Sequence, residues 1–333
     1  MNFVSLFAGV GGFDLGLERT GHKCVWANEW DKKPREVYNH NFGRMPDGRD
    51  IRDVRGRDLP EADLICGGFP CATFSYAGKR TGFGVDDTRG TLCFEMFRIT
   101  RERNIPYLLF ENVKGLLNHD NGRTFGIILC ALDELGYDVQ WELLDSQNFG
   151  VPQHRERLFL VANLRGKPRP KVFPIGKTSG ENAACGSQTQ SKGERIRVED
   201  NNELKIGTLC HRLYGGNTNN VYIDNSTVEI SQWRRSHLRG YKGAGTPTLT
   251  ANMGTGGNNV PLVRMTNKLQ LRKLTPVECE RLQGLPDNFT RWLKDEDENI
   301  TENSDSDRYE RCGRTVTIPV IEAIGRRLGH EWY

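Results

Sequence analysis

Short apolar runs and stretches with helical spacing alternate through the first half of the chain. The apolar runs lie at 3–7, 24–27, 63–66, 107–110 and 157–161. Between them lie amphipathic stretches such as 123–135, which predict crossover helices. Continuous apolar runs are typical of parallel strands that are buried on both faces. Residues 1–165 are therefore expected to form an open, mostly parallel α/β sheet, with ligands bound at the carboxyl ends of its strands.

The pattern changes at residue 166. Residues 166–266 contain 14 glycines, many Asn and Thr residues, and few long apolar periods, which predicts a loop-rich region with short strands. Helical patterning returns near Leu269. We therefore expect one domain built from residues 1–165 and 268–333, whose C-terminal helix packs back on the sheet, and a smaller domain at 166–267.

Three segments of the C-terminal region have sequence patterns that predict local structure. Thr275-Pro276-Val277-Glu278 resembles a helix start, with an N-cap, a proline at the first helical position and a carboxylate at the third. Residues 295–307 contain seven acids and only Ile300 as an apolar residue, which predicts a solvated loop. The segment Pro319–Leu328 predicts a helix opened by proline.

The composition excludes several classes of protein. With 333 residues and 36% hydrophobic content, the chain can bury a sizeable core. It has no apolar run near the ~18 residues of a membrane helix and no basic, cleavable leader at its start. Its nine cysteines form no C-x-x-C pair, which argues against a zinc ribbon or a disulfide scaffold. We expect a cytoplasmic protein with reduced thiols and no metal.

The charge is unevenly distributed along the chain. The net charge is +3, but residues 166–266 contain 14 Lys and Arg against 7 Asp and Glu, a balance of +7. The remainder carries 32 basic and 36 acidic residues, a balance of −4. A basic insert in an acidic frame indicates polyanion binding; on charge alone, an ordinary solvated surface explains it equally well.

A glycine-rich turn follows the first predicted strand and opens a helix. It reads Phe7-Ala8-Gly9-Val10-Gly11-Gly12-Phe13, which lets a ligand approach the backbone. The next strand ends in Glu29-Trp30, where an acid suits ribose hydroxyls and a ring can cover adenine. Asp50-Ile51 supplies an acid and an apolar residue at a third predicted strand end. Together they indicate a nucleoside cofactor without pyrophosphate, although the turn alone could be a plain tight turn.

The third apolar run leads into a candidate nucleophile. Cys71 follows Gly67-Gly68-Phe69-Pro70 at the edge of the predicted sheet, where a thiolate can attack a substrate. A buried structural thiol is the alternative, and it is favoured for the other eight cysteines. Glu111 ends the next strand at the same edge. Lys79, Arg80 and Arg89 lie in a glycine-rich segment after Cys71 that could close over a polyanion. Arg155 and Arg157 precede a later strand and offer guanidiniums for a carboxylate, a base carbonyl or a phosphate.

Taken together, these motifs resemble those of the bacterial cytosine-5 DNA methyltransferases of restriction–modification systems, in the family's order and over nearly the whole chain. The resemblance implies a Rossmann-like domain that binds S-adenosylmethionine, a smaller target-recognition domain, and double-stranded DNA in the cleft between them. It further implies a monomer, with a cognate restriction endonuclease as a possible partner. The cofactor-binding positions it implies are Phe7, Ala8, Gly9, Gly11, Glu29, Trp30, Asp50, Ile51, Gly68, Pro70, Leu92, Arg314 and Val316.

The resemblance also assigns a catalytic set. In this scheme Cys71 adds to C6 of a flipped cytosine, and a protonated Glu111 engages N3 to stabilise the adduct. Arg157 holds the base O2, and Arg155 orients the carboxyl network. C5 then takes the transferred group, and loss of its proton with β-elimination frees the thiol.

Candidate DNA contacts are spread over two regions. Thr246–Ala251 and the following glycines resemble the family's recognition segment, and residues 233–239 form a basic cluster with an aromatic ring. Arg272–Phe289 resembles a late scaffold motif, for which we expect a structural role. The predicted DNA-binding residues are Lys79, Arg80, Arg89, Arg234, Arg235, Arg239, Thr248, Thr250, Gly256 and Gly257.

Two positions depart from the family pattern. Ala72 stands where the family usually has Gln, and Arg314 stands where it usually has Asn; both lie beside the transferred group in this fold. One hypothesis is ordinary methyl transfer with Arg314 turned away. A second is transfer of a carboxymethyl group from carboxy-S-adenosylmethionine, whose carboxylate would pair with the guanidinium in a pocket enlarged by Ala72. A third is a disabled catalyst that only binds DNA; an RNA-modifying relative is a weaker alternative.

Overall fold

The computed structural model describes residues 1–69, 92–175, 228–234, 237–240, 246, 248–249, 262–265 and 271–329. The strands are β1 (Asn2–Leu6), β2 (Lys23–Asn28), β3 (Leu64–Gly68), β4 (Tyr107–Val113), β5 (Tyr137–Asp145), β6 (Glu156–Leu164), β7 (Val228–Arg234), β8 (His237–Gly240), β9 (Leu262–Met265), β10 (Leu271–Lys273), β11 (Trp292–Lys294) and β12 (Ile300–Glu302). The α-helices are α1 (Gly12–Glu18), α2 (Lys32–Phe42), α3 (Leu92–Arg103), α4 (Arg123–Glu134), α5 (Pro276–Leu282), α6 (Asp305–Arg314) and α7 (Ile318–Leu328).

A six-stranded sheet with the order β2-β1-β3-β4-β6-β5 forms the centre of the fold. The first four strands are parallel neighbours, whereas β6 runs antiparallel to both β4 and β5. The mostly parallel α/β sheet is thus confirmed. The strand predicted at 157–161 exists, but its parallel direction was wrong, because β6 enters after β5 without a crossover helix.

Successive residues of each central strand supply the core on opposite faces of the sheet. Val4 packs with α3 and α4 on one face, and Phe3 packs with α1, α2 and α7 on the other. Leu108 and Leu109 of β4 divide between the same two clusters. Burial on both faces explains why these strands appear in the sequence as continuous apolar runs.

Two local predictions were wrong. Asp50 and Ile51 do not end a strand; residues 51–53 form a turn, and only an isolated bridge joins Asn28 to Asp47. The acidic segment 295–307 is not simply a loop, because β12 pairs with β11 and α6 begins within it. Backbone pairing and the Ser304 N-cap, whose hydroxyl accepts the Asp307 N–H, order this segment with little apolar burial.

The C-terminal helices form as their end signals indicate. The Thr275 hydroxyl accepts the Glu278 N–H, and the Glu278 carboxylate accepts the Thr275 N–H, so α5 begins with a capping box. Helix α7 has proline in its first turn and packs against α1. A four-stranded antiparallel sheet has the order β10-β9-β7-β8. Strands β7, β8 and β9 lie in the region predicted to carry short strands, whereas β10 lies after it, where helical patterning was predicted to return. Within the described residues, no helix has the length and apolarity required to span a membrane.

Candidate active site

The turn between β1 and α1 exposes its backbone through two glycines that serve different purposes. Gly9 has φ +57°, and a Cβ added there would meet no atom within 4 Å. Gly11 has φ +89°, and its Cβ would lie 2.3 Å from a ring carbon of Phe42. Positive φ at both positions favours glycine. The turn therefore packs on α2 at Gly11 and faces open space at Gly9.

Glu29, at the end of β2, fastens this turn to the neighbouring strand. Its Oε2 accepts the Gly9 N–H at 2.9 Å, and its Oε1 accepts the Asp31 N–H at 2.9 Å. Burial raises the pKa of Glu29, and these two N–H groups partly oppose that shift. Each carboxylate oxygen keeps a further lone pair for a ligand hydroxyl. The adjacent Trp30 is 72% exposed. The Glu29 carboxylate, the Gly9 backbone and the Trp30 ring therefore lie at the same edge of the sheet.

Three further residues predicted to bind the cofactor are Ile51, Leu92 and Asp50. The first two form an apolar surface, and the Asp50 carboxylate is already hydrogen-bonded within the protein. Ile51 is buried, and Leu92 packs on the same core cluster. The Asp50 carboxylate accepts from Arg52, with Nε to Oδ1 at 2.9 Å, and this hydrogen bond lowers the pKa of Asp50. Asp50 is thus engaged by its own neighbour.

The segment between α6 and α7 closes the site against the start of α1. A Cβ at Gly12 would lie 2.3 Å from the Thr315 Oγ1 and 2.9 Å from a Val316 methyl, so this packing requires glycine. Arg314 lies between Gly313 and Thr315 in the chain. Its guanidinium forms an ion pair with Glu310, with Nη2 to Oε1 at 2.6 Å. The Arg314 side chain is 58% exposed. The segment therefore sets a paired cation beside the glycine-rich turn.

Glu111 and Arg157 form an ion pair at the carboxyl end of β4. The Arg157 Nε lies 3.1 Å from the Glu111 Oε1, with the two side chains 18% and 14% exposed. Gly68 of β3 is the register partner of Glu111, and a Cβ at Gly68 would lie 2.9 Å from the Glu111 Oε2. The absence of a side chain at Gly68 leaves room for the carboxylate.

Arg155 lies two residues from Arg157 but makes different contacts. Its guanidinium donates to the carbonyl oxygens of Leu249 at 2.8 Å, Gly313 at 3.1 Å and Thr315 at 2.9 Å. Burial and the neighbouring Arg157 lower the pKa of Arg155 to about 9, while Glu111 opposes the shift. Arg155 therefore links the backbone at Leu249 to the backbone at Gly313 and Thr315, whereas Arg157 is the direct partner of the Glu111 carboxylate.

Several predicted site residues lie outside the described part of the chain. These are Pro70, Cys71, Ala72, Lys79, Arg80, Arg89, Arg235, Thr250, Gly256 and Gly257. Arg234 and Arg239 lie in β7 and β8, but only their backbone is described. Thr248 is described, and its hydroxyl donates to the His154 carbonyl at 2.6 Å.

Most of the described cysteines are unsuited to nucleophilic attack. Five of the six are buried, and Cys130 is exposed on α4. Burial raises the pKa of the thiols of Cys24, Cys66, Cys279 and Cys312, which disfavours the reactive thiolate. No group of three or more metal-binding side chains occurs within the described ranges.

Sequence reasoning missed three side chains that organise this site. Gln153 and Gln283 are fully buried and hydrogen-bonded to each other, with Nε2 to Oε1 at 3.2 Å. Glu310 pairs with Arg314 across one helical turn. The i, i+4 spacing of Glu310 and Arg314 was a usable signal; nothing in a single sequence marks a glutamine as buried.

The chain matches the family model for C-5 cytosine-specific DNA methylases over residues 1–330. It is 36% identical to the type II methyltransferase M.Bsp6I of Bacillus sp. (strain RFL6), over 98% of each chain. It is 33% identical to M.HhaI of Haemophilus parahaemolyticus, over 99% of this chain and 94% of that one. The S. pombe Dnmt2 methyltransferase structure shares the fold, with a TM-score of 0.65, 18% identity, and coverage of 97% and 96% of the two chains. This chain therefore belongs to the C-5 cytosine-specific DNA methylase family.

Proposed function

We propose that this protein methylates C5 of cytosine in a specific duplex DNA sequence, with S-adenosylmethionine as the donor. The observation that carries the proposal is the partly buried Glu111–Arg157 pair at the same sheet edge as the Gly9–Glu29 turn. One group of residues suits a nucleoside cofactor and the other suits a cytosine ring. Membership in the family, established over 1–330, supports joining them in one reaction.

The cofactor would lie along the carboxyl edge of β1 and β2. The remaining lone pairs of Glu29 would accept ribose hydroxyls, the exposed Trp30 ring would cover the adenine, and Ile51 with Leu92 would form the opposite apolar wall. The open space at Gly9 lets the ligand approach the backbone. When bound, the cofactor supplies an electrophilic methyl group on a sulfonium.

The chain's own residues would make the cytosine ring nucleophilic. The Cys71 thiolate forms a bond to C6 while Glu111, protonated, donates to N3, so that electron density shifts to C5. Arg157, fixed by Glu111 and by its own bond to the Glu156 carbonyl, would present its free N–H groups to the base O2. After C5 is alkylated, a base removes the C5 proton, the C6–S bond breaks, and the thiolate is released.

DNA would bind with the target base turned out of the helix, at a cost of a few kcal/mol. Phosphate contacts from the basic segment after Cys71 and from the 166–267 region, which we propose as the target-recognition domain, would offset that cost. Such an enzyme would act as a monomer on cytoplasmic DNA. Restriction–modification is the physiological setting that the type II relatives support, with a cognate endonuclease as partner.

The donor is the one part of the proposal for which two candidates remain. Arg314 places a cation beside the site, and a free cation would favour carboxy-S-adenosylmethionine, whose transfer would yield 5-carboxymethylcytosine. The Arg314 guanidinium is already paired with Glu310 at 2.6 Å, which supports the methyl donor. The carboxymethyl alternative requires Arg314 to leave Glu310.

Parallel incubation of the protein and duplex DNA with each donor tests this choice. The DNA is digested to nucleosides and analysed by mass spectrometry against authentic standards. We expect 5-methyldeoxycytidine to form faster with S-adenosylmethionine. Faster formation of the 5-carboxymethyl product would reverse the assignment. DNA binding without either product, on DNA rich in candidate sites, would support the disabled catalyst.

A further inference from the structure

Backbone hydrogen bonds hold Thr246 against the residues that lead into β6. The Thr246 N–H donates to the Pro152 carbonyl at 2.6 Å, and the His154 N–H donates to the Thr246 carbonyl at 2.9 Å. Gln153 and Thr246 thereby form a parallel bridge. The segment that resembles a DNA-recognition element is thus paired directly to the chain that leads to Arg155 and Arg157.

Two buried side chains then hold both polar groups of Leu249. Its N–H donates to the Gln153 Oε1 at 2.8 Å, and its carbonyl accepts from the Arg155 Nη1 at 2.8 Å. Gln153 is 0% exposed and Arg155 is 3% exposed. Leu249 itself packs in a core cluster formed with α5 and α6. A shift of this peptide therefore breaks hydrogen bonds that no water can replace.

Both side chains connect to the segment beside the glycine-rich turn: Arg155 directly, through the Gly313 and Thr315 carbonyls, and Gln153 through Gln283. The Gln153 amide donates to the Leu282 carbonyl at 2.9 Å and to the Gln283 Oε1 at 3.2 Å. Gln283 in turn donates to the Cys312 carbonyl at 2.7 Å and accepts from the Thr317 hydroxyl at 2.9 Å. A continuous buried network thus joins the recognition segment to residues 312–317, which cover the start of α1.

We propose that Gln153 is a positioning residue that couples DNA binding to cofactor binding. This inference rests on the proposed function, because it takes duplex DNA and a nucleoside cofactor as the two ligands. DNA that fixes Thr248 also fixes the adjacent Leu249 peptide, and the Gln153–Gln283 network transmits that order to residues 312–317. Each ligand then tightens the binding of the other by the same factor.

The coupling is measured by calorimetric titration of the wild-type protein with S-adenosylhomocysteine, without DNA and with a saturating duplex that the wild type modifies. We expect DNA to tighten wild-type binding about fivefold or more, within the usual range for coupled sites. In Gln153→Met, binding without DNA stays within about twofold of wild type, and the tightening by DNA falls to about twofold or less.

Gln140→Met is the matched control. Gln140, on the outer strand β5, also holds a loop through its amide, donating to the Pro170 carbonyl and accepting the Val172 and Phe173 N–H groups. It lies outside the network, so the variant keeps wild-type coupling. Should Gln153→Met fail to fold, Gln153→Glu keeps the acceptor for Leu249, and its buried, neutral carboxyl can replace at most one of the two donated bonds, so this variant also loses coupling.

Wild-type coupling in both Gln153 variants would overturn the inference. So would equal weakening of cofactor binding with and without DNA, since that marks a merely structural residue, and so would absence of coupling in the wild type. Failure of the wild type to bind or modify any duplex would instead overturn the proposed function, and this inference with it.

Discussion

Glu111 occupies a space that its neighbours shape closely. Arg157 pairs with one carboxylate oxygen, and Gly68 faces the other without a side chain. The position of the Glu111 carboxylate therefore depends on the Arg157 guanidinium on one side and on the absence of a side chain at Gly68 on the other. A small change at Gly68 tests that arrangement without removing a catalytic group.

Gly68→Ala is expected to lower kcat about tenfold or more, because the added methyl lies 2.9 Å from the Glu111 Oε2 and must displace it. The change in the dissociation constant for S-adenosylhomocysteine should be smaller than the change in kcat. Steady-state kinetics with labelled donor measure the effect. Gly115→Ala, whose Cβ meets only a Val113 methyl at 3.8 Å, serves as the control, and equal losses in both variants would contradict the account.

Glu29 should make cofactor binding sensitive to acid. Burial raises its pKa, so the carboxylate that accepts the Gly9 N–H and ribose hydroxyls becomes protonated at a higher pH than an ordinary glutamate. The affinity for S-adenosylhomocysteine should be highest above that raised pKa and should fall as the pH decreases through it. Titrations from pH 8 to pH 5 should show this in the wild type and a flatter profile in Glu29→Gln. Identical profiles would rule out Glu29 as the responsive group.

Glu310 should influence the choice of donor through Arg314. Glu310→Gln removes the partner of the Arg314 cation, and a half-exposed pair of this kind is worth up to ~1 kcal/mol. We expect kcat/KM for S-adenosylmethionine to fall up to about fivefold, and the rate with carboxy-S-adenosylmethionine to rise relative to it. Arg314→Asn should shift the ratio in the opposite direction. A donor ratio that neither variant moves would show that Arg314 lies too far from the transferred group.

At the scale of elements, the sequence predicted those strands that are buried on both faces. Strands β1 to β4 and β6 appear as apolar runs because both faces of the sheet are covered. Strand β5 was missed because polar residues interrupt its apolar run and Trp141 is 47% exposed. The other edge strand, β2, was predicted, because its residues pack in the clusters on both faces. The antiparallel direction of β6 has no sequence signal of this kind, since apolar periodicity does not encode strand direction.

The contact between α1 and α7 tests helix packing. A Cβ at Gly16 would lie 2.6 Å from the Ile321 Cβ, so Gly16→Ala should overpack this contact and lower the free energy of unfolding by ~1–3 kcal/mol. Urea denaturation measures the change. Gly126→Ala, in α4 with no atom within 4 Å of the new Cβ, should instead raise stability by up to ~1 kcal/mol. Equal stability of the two variants would contradict close packing at Gly16.

At the scale of the whole molecule, the candidate site residues were easier to predict than the side-chain contacts that join distant segments. Glu29 and Glu111 were predicted from the carboxyl ends of parallel strands, which lie at one edge of the sheet. Arg157 lies at the start of β6, and it reaches the same edge because β6 is antiparallel to β4, a direction that the sequence did not indicate. The carbonyl contacts of Arg155, the Gln153–Gln283 pair and the Glu310–Arg314 pair join segments distant in sequence or depend on side-chain direction. One sequence does not record the pairings between distant segments, whereas the i, i+4 spacing does mark Glu310 and Arg314 as a candidate pair. The domain division at 166–267 stays a prediction.

The central claim is that Cys71 and the Glu111–Arg157 pair act together on cytosine C5. The most direct test incubates the wild type and Cys71→Ala with long, unmodified duplex DNA and S-adenosylmethionine, then identifies the methylated nucleosides by chromatography and mass spectrometry. We predict 5-methyldeoxycytidine as the sole product of the wild type and no product from Cys71→Ala that still binds DNA. N4-methyldeoxycytidine or N6-methyldeoxyadenosine from the wild type, or undiminished product from Cys71→Ala, would contradict the account.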